Sequence, residues 1–131
     1  MGQALAAPST TPHFPRPAPI ESYGKGGFRF AGMSHRGSLL LLPSGIWAWP
    51  VTDAEAITVE TLAPVIAEAD SIGILLIGTG LTRWSLPVEL MQLFAAHGIS
   101  AETSQTGRAA NTFNILLEEG RRVAAALIAV D

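Results

Sequence analysis

Between Ser71 and Gly78 the chain runs Ile72-Gly73-Ile74-Leu75-Leu76-Ile77 without one polar side chain. An unbroken apolar run of this length reads as a β-strand covered on both faces. Such a strand needs packed layers on each side, and the following sequence supplies them. The pattern predicts a helix over 62–69, with Thr61 as N-cap and Pro64 in the first turn, where its missing N–H costs nothing. A second helix is predicted over 87–97. Pro87 sits at its first position, Glu89 complements the N-terminal dipole, and Gly98 closes the end. Val88, Leu90, Met91, Phe94 and Ala95 make its apolar face. A short strand over 99–103 follows, then a helix over 107–119 with Ala110, Phe113, Leu116 and Leu117 facing inward. A last strand over 122–130 completes the chain. Strands alternating with helices imply crossover connections and a largely parallel sheet.

The first half has a different rhythm. Ile20 to Trp49 reads as short strands separated by glycine turns: Ile20-Glu21-Ser22-Tyr23, then Phe28-Arg29-Phe30, then His35 to Leu42, then Ile46-Trp47-Ala48-Trp49 stopped by Pro50. Close spacing predicts an antiparallel meander. Trp47 and Trp49 should share a face. The chain is therefore expected to be α/β, with a β meander added to a βαβαβ-like half. Residues 1–19, with five prolines among Ala, Ser and Thr, read as a disordered arm, and 20–131 as a single domain.

Composition narrows the function classes. A chain of 131 residues with 48% hydrophobic side chains is the size of one domain that needs no staple. There is no cysteine, so disulfides, zinc thiolates, iron–sulfur clusters and cysteine nucleophiles are excluded. A formal net charge of -3 speaks against nucleic-acid binding through a basic stripe. No apolar run approaches the length of a membrane-spanning helix. The start lacks the early Lys or Arg of a secretion signal, and Ala6 stands where a myristoylation motif wants Ser or Thr. A cytoplasmic location is the expectation.

Several groups of residues invite chemistry, and each has a plainer reading beside it. Gly78-Thr79-Gly80 follows the buried strand, where ligands of open α/β sheets gather. The glycines either admit an anion to the backbone or serve a tight connection needing positive φ. Neither a dinucleotide fingerprint nor a P-loop is completed. Gly24-Lys25-Gly26-Gly27 resembles a phosphate loop but lies between strands, so a hairpin turn is the better reading. On the last helix, Arg108, Asn111, Asn114 or Ile115, and Glu118 follow helical spacing, as a solvated face or a functional one. Thr106 and Gly107 at its start offer free N–H groups to an anion, with Arg83 and Asn111 expected at the same mouth. Trp84, if exposed beside Leu86, is an interaction anchor. No Gly-x-Ser-x-Gly elbow, carboxylate pair or metal-spaced histidine set is present. The expectation is no catalytic residue, no metal and no cofactor, leaning away from an enzyme.

The blocks Tyr23-Gly24, Gly27-Phe28-Arg29-Phe30, His35, Gly37-Ser38 and Ile77-Gly78-Thr79-Gly80 resemble the Mth-938-like family of unknown function. So does the block Thr106, Ala109-Ala110, Asn111-Thr112-Phe113-Asn114, then Glu118 through Leu127. The resemblance spans about residues 20–130. It implies a three-layer α/β fold with a mixed central sheet, one strand running against the others, and an additional β meander layer. The family's eukaryotic members include a mitochondrial complex I assembly factor and an adipogenesis-associated protein. It carries no established catalytic residues, and this chain looks like a bacterial member. The expected function is a non-enzymatic protein-interaction or assembly module. The alternatives are a small anionic-ligand site at the Gly78–Gly80 and Thr106–Asn111 loops, or a cryptic enzyme; the expected ligand or partner surface is Gly78, Thr79, Gly80, Arg83, Trp84, Thr106, Gly107, Arg108 and Asn111. The residues leave the partner and the oligomeric state open.

Overall fold

The computed structural model describes residues 11–131. In chain order the strands and helices are β1 (Ile20–Gly24), β2 (Gly27–Phe30), β3 (Met33–Arg36), β4 (Ser38–Leu42), β5 (Gly45–Trp49), α1 (Ala63–Ala67), β6 (Ile74–Gly78), α2 (Val88–Ala96), β7 (Ser100–Ser104), α3 (Thr106–Glu118) and β8 (Val123–Leu127). β1, β2 and β3 form a small antiparallel meander. The other five strands form a sheet in the order β5-β4-β8-β6-β7. Within it β6 is parallel to both neighbours, and β4 is antiparallel to both of its own. The central sheet is thus mixed, with β4 the strand that runs against the rest.

The apolar run is covered on both sides. Leu75 and Ile77 join Leu40, Leu42, Ala124 and Ala126 in one buried cluster, completed by Leu62 and Val65 at α1 and Leu90 and Phe94 of α2. Leu76 joins Leu39, Leu41, Ala125 and Leu127 in another, with Phe28 and Phe30 of the meander and Ala109, Ala110 and Phe113 of α3. This alternation along β4, β6 and β8 is the period-2 pleat dividing side chains between two cores. The result is three layers: α1 and α2 on one side of the central sheet, α3 and the small sheet on the other.

Several elements differ from the sequence reading. His35 to Leu42 is two strands, because Gly37 adopts φ 100° and turns the chain out of the small sheet into the large one. Thr61 does not cap α1; Leu62 holds that position without a side-chain bond, and Thr61 Oγ1 accepts from Thr58 N instead. α1 is only five residues long and passes into a 3-10 turn over Ala69–Ser71. β6 starts at Ile74, because the N–H groups of both Gly73 and Ile74 donate to Arg122 O. Pro87 precedes the first turn of α2 at the cap position, and Val88, expected inward, is 63% exposed. Trp49 is buried and donates Nε1–H to Thr61 O, while Trp47 packs partly buried against the same cluster.

The expected arm falls only partly within the described residues. Its residues 1–10 lie outside the described residues. Residues 11–19 lie against the domain: Phe14 pairs with Ile46 of β5, and Ala18 is buried. Phe14 and Ala18 join the cluster under α3, and this contact holds a proline-rich segment that composition alone would leave free.

The small sheet is fastened to α3 by one side chain. Asn114 accepts from Ile20 N at 2.8 Å and donates to Ile20 O at 2.8 Å. The amide thereby completes both backbone bonds of the first residue of β1, as a neighbouring strand would. The Asn114→Ala variant should lose about 1–3 kcal/mol in urea unfolding, since both backbone groups are left without this partner. Hydrogen exchange should show the Ile20 amide opening faster than the amides of β6.

Candidate functional site

β6, β7 and β8 end in register, Gly78 standing beside Ser104 on one side and Leu127 on the other. Their shared direction brings three carboxyl ends to a single rim, the edge at which open α/β sheets hold ligands. α3 begins there immediately after β7, with Gln105 in extended backbone and Thr106 as the first helical residue. Thr106 is fully buried; its Oγ1 donates to Ile128 O at 2.7 Å and accepts from Gly80 N at 3.0 Å. Its own N–H donates to Gly80 O at 2.9 Å. Gly78 is a glycine for a packing reason: a Cβ would lie 2.8 Å from Thr106 Cα. The glycine corner and the start of the last helix are thus direct neighbours.

A cavity of about 420 Å³ opens on this rim. Of the nine sequence-selected residues, Gly80, Gly107, Arg108 and Asn111 line it. Gly78, Thr79 and Thr106 lie behind them, buried and hydrogen-bonded to backbone. Arg83 does not converge with Asn111 on this mouth: it donates Nε–H to Thr103 O of β7 at 3.0 Å and Nη1–H to Ser85 Oγ at 3.4 Å. Trp84 is outside the cavity as well.

Tyr23, Leu81, Gln105, Thr112 and Val130 complete the lining and were not selected from the sequence. Tyr23 reaches the site from the small sheet and lies over Gly107, where any side chain would collide with its hydroxyl. Its signal was present in the Tyr23-Gly24 block, but only topology places β1 beside α3.

The segment between β6 and α2 carries a second feature. Leu81, Trp84 and Val88 are exposed at 71%, 45% and 63%. The stretch carrying Leu81 and Trp84 is tied to the end of β6, because Thr79 Oγ1 donates to Thr82 O at 2.8 Å and accepts from Trp84 N at 3.0 Å. Leu81 and Trp84 therefore stand on a segment fixed to the end of β6, and Val88 opens α2 just beyond it.

A histidine pair lies near the small sheet. The rings of His13 and His35 are 4.7 Å apart. Burial holds the His35 pKa below 6.5, with repulsion from His13 adding to it and a backbone hydrogen bond involving Ser38 opposing it. Among the described residues no three His, Asp or Glu side chains gather as a metal-holding group.

A family model described as a protein of unknown function, DUF498/DUF598, matches residues 20–128. The crystal structure of an outer membrane protein from Bartonella henselae is 51% identical, with a TM-score of 0.87 over 91% of this chain and 100% of that one. The solution structure of a Mth938-like domain from Bordetella pertussis is 27% identical, with a TM-score of 0.76 over 86% of this chain and 85% of that one. The mouse NADH dehydrogenase (ubiquinone) 1 alpha subcomplex assembly factor 3 is 35% identical over 115 residues, 88% of this chain. The match spans 62% of that relative's own length.

Two measurements check the construction of the site. The Thr106→Val variant should lose about 2–4 kcal/mol in chemical unfolding, because Ile128 O and Gly80 N lose a buried partner, while Thr106→Ser should recover most of it. The His35 shift sets a pH dependence. Below 6.5 the unfolded chain takes up a proton that the folded His35 resists, so stability is highest above that value and falls as pH drops through it toward the folded pKa. The melting temperature should decline from pH 7.5 to 5.5, to about the extent expected for one group, and more weakly in His13→Ala.

Proposed function

The chain belongs to the DUF498/DUF598 family, and from that premise we propose that it is a non-enzymatic assembly module that binds a subunit or intermediate of a respiratory NADH dehydrogenase. The observation that carries this reading is the likeness to the NADH dehydrogenase assembly factor across 88% of the chain. The surface assigned to the partner is the apolar rim of Leu81, Trp84 and Val88, with Arg108 and Asn111 at the neighbouring mouth. Exposed tryptophan on a fixed segment suits a binding anchor, because little side-chain and loop freedom is lost on docking. Among the described residues no helix is long and apolar enough to cross a membrane, so in this reading the module meets its partner outside the bilayer.

Cells lacking the gene should contain less fully assembled NADH dehydrogenase on native gels, and the wild-type chain should restore it. Trp84→Ala should fail to restore it while its unfolding free energy stays within about 0.5 kcal/mol of wild type. Its affinity for the captured subunit should fall about thirtyfold, the loss expected of a hot-spot anchor. Full restoration by both Trp84→Ala and Leu81→Ser would remove the rim from the proposal, and normal enzyme levels in the deletion would remove the function. If citrate or ATP raises the melting temperature of wild type but not of Arg108→Ala, and Trp84→Ala complements, the cavity is an anion site instead.

A further inference from the structure

The small sheet has an outward face that the rim does not use. Half of the eight Lys and Arg residues fall between positions 16 and 36, beside a single acidic residue, Glu21, in a chain whose formal net charge is -3. The pairing of β1, β2 and β3 sets Ser22, Arg29 and Ser34 in one cross-strand row and Gly24, Gly27 and Arg36 in the next. Phe28 and Phe30 point into the core, so Arg29 and the residues in phase with it face away from it. A cavity of about 570 Å³ lies on this face, lined among others by Lys25, Arg29, Arg36, Ser22 and Ser34.

We propose that this face binds the phosphate group of a phosphorylated ligand. Arg29 and Arg36 are diagonal neighbours on adjacent strands, a relation that sets residues roughly 7–8 Å apart and their Cβ atoms somewhat closer. Two guanidinium groups at that separation close on one oxyanion between them. The row of Arg36 offers no obstruction, because its other two members, Gly24 and Gly27, have no side chains. Gly27 cannot acquire one, since a Cβ would collide with the His35 carbonyl. Lys25 sits at the hairpin tip beside the same floor. Glu21 does not neutralise the group: its carboxylate accepts from Gly32 N at 3.0 Å, across the other end of the β2–β3 hairpin. Arg29 donates to Ser34 Oγ at 2.7 Å, and no hydrogen bond among the described residues joins Lys25, Arg29 or Arg36 to a carboxylate.

Three cations suit a phosphate dianion better than a lone carboxylate, and the planar guanidinium fork matches phosphate oxygens. Side chains rather than the loop backbone make this site. Gly26 N donates to Val130 O at 2.8 Å, so that amide faces the body of the protein.

The test titrates the full chain, ¹⁵N-labelled, with pyrophosphate, and in parallel sediments it with phosphatidylcholine vesicles with and without phosphatidic acid. The expected result is amide shifts confined to residues 22–36, weakening as salt is raised. Arg36→Ala and Arg29→Ala should each weaken binding about tenfold or more, with circular dichroism unchanged, while Arg121→Ala binds as wild type. Binding to pyrophosphate identifies a soluble ligand. Binding only to phosphatidic acid vesicles, with the same arginine dependence, identifies a lipid headgroup. No binding to millimolar pyrophosphate or to phosphatidic acid vesicles, or binding that survives both arginine variants, overturns the proposal. Neither outcome bears on the assembly function, which is read from a different surface.

Discussion

Helix α3 is fastened to backbone at two points by side chains, and most of the molecule's organisation follows from that. At its first residue, Thr106 joins the ends of β6 and β8 through Gly80 N and Ile128 O. Two turns further on, Asn114 joins the first residue of β1. Between these points Ala109, Ala110 and Phe113 pack into the cluster shared with Phe28, Phe30, Leu76 and Ala125. Burial supplies the driving force but no particular register. The two polar residues supply the register, because a buried hydrogen bond is worth most when breaking it strands a polar group. α3 is therefore the element through which a strand meander becomes a layer of an α/β fold.

The same fastening explains why the rim is rigid. Thr79, Gly80 and Thr106 exchange hydrogen bonds among β6, β7 and α3, and Thr79 extends the network to Thr82 and Trp84. Polar side chains that look like a ligand cradle in the sequence thus have structural partners. The groups left facing solvent are chemically different: exposed Leu81, Trp84 and Val88 on one side, Arg108 and Asn111 on the other. A polar cluster turned inward and an apolar set turned outward suit a surface that meets another protein.

The architecture was legible where one physical rule dominated. The uninterrupted apolar run reads as a doubly covered strand, which the chain forms from Ile74 to Gly78, and glycine turns mark the meander. Periodicity could not show that Gly37 moves the chain between sheets, since a strand continuing in one sheet has the same alternation. Nor could it show that Phe14 and Ala18 dock onto the domain, because five prolines dominate the local composition. At the site, the proximity of Gly80 to Thr106 followed from parallel strands ending together. The position of Arg83 did not: the sequence shows its charge but not the Thr103 carbonyl on the neighbouring strand that takes its Nε–H. Asn114 read as part of a helix face, and only the tertiary fold reveals that its amide completes β1.

Tyr23 shows how closely the two surfaces are joined. The residue is common to the lining of the cavity at the rim and the cavity on the small sheet. At the rim its phenol ring lies over the first turn of α3, a place that residue 107 leaves open because it is glycine. A larger residue there would push the ring aside and separate the small sheet from the helix start. The flat contact explains why a helix whose interior otherwise favours Ala and Leu carries a glycine at its second position, despite the backbone entropy that glycine costs. Tyr23 and Gly107 are thus one feature: a contact between β1 and α3 at the boundary of the two cavities, held by the same packing that sets the fold.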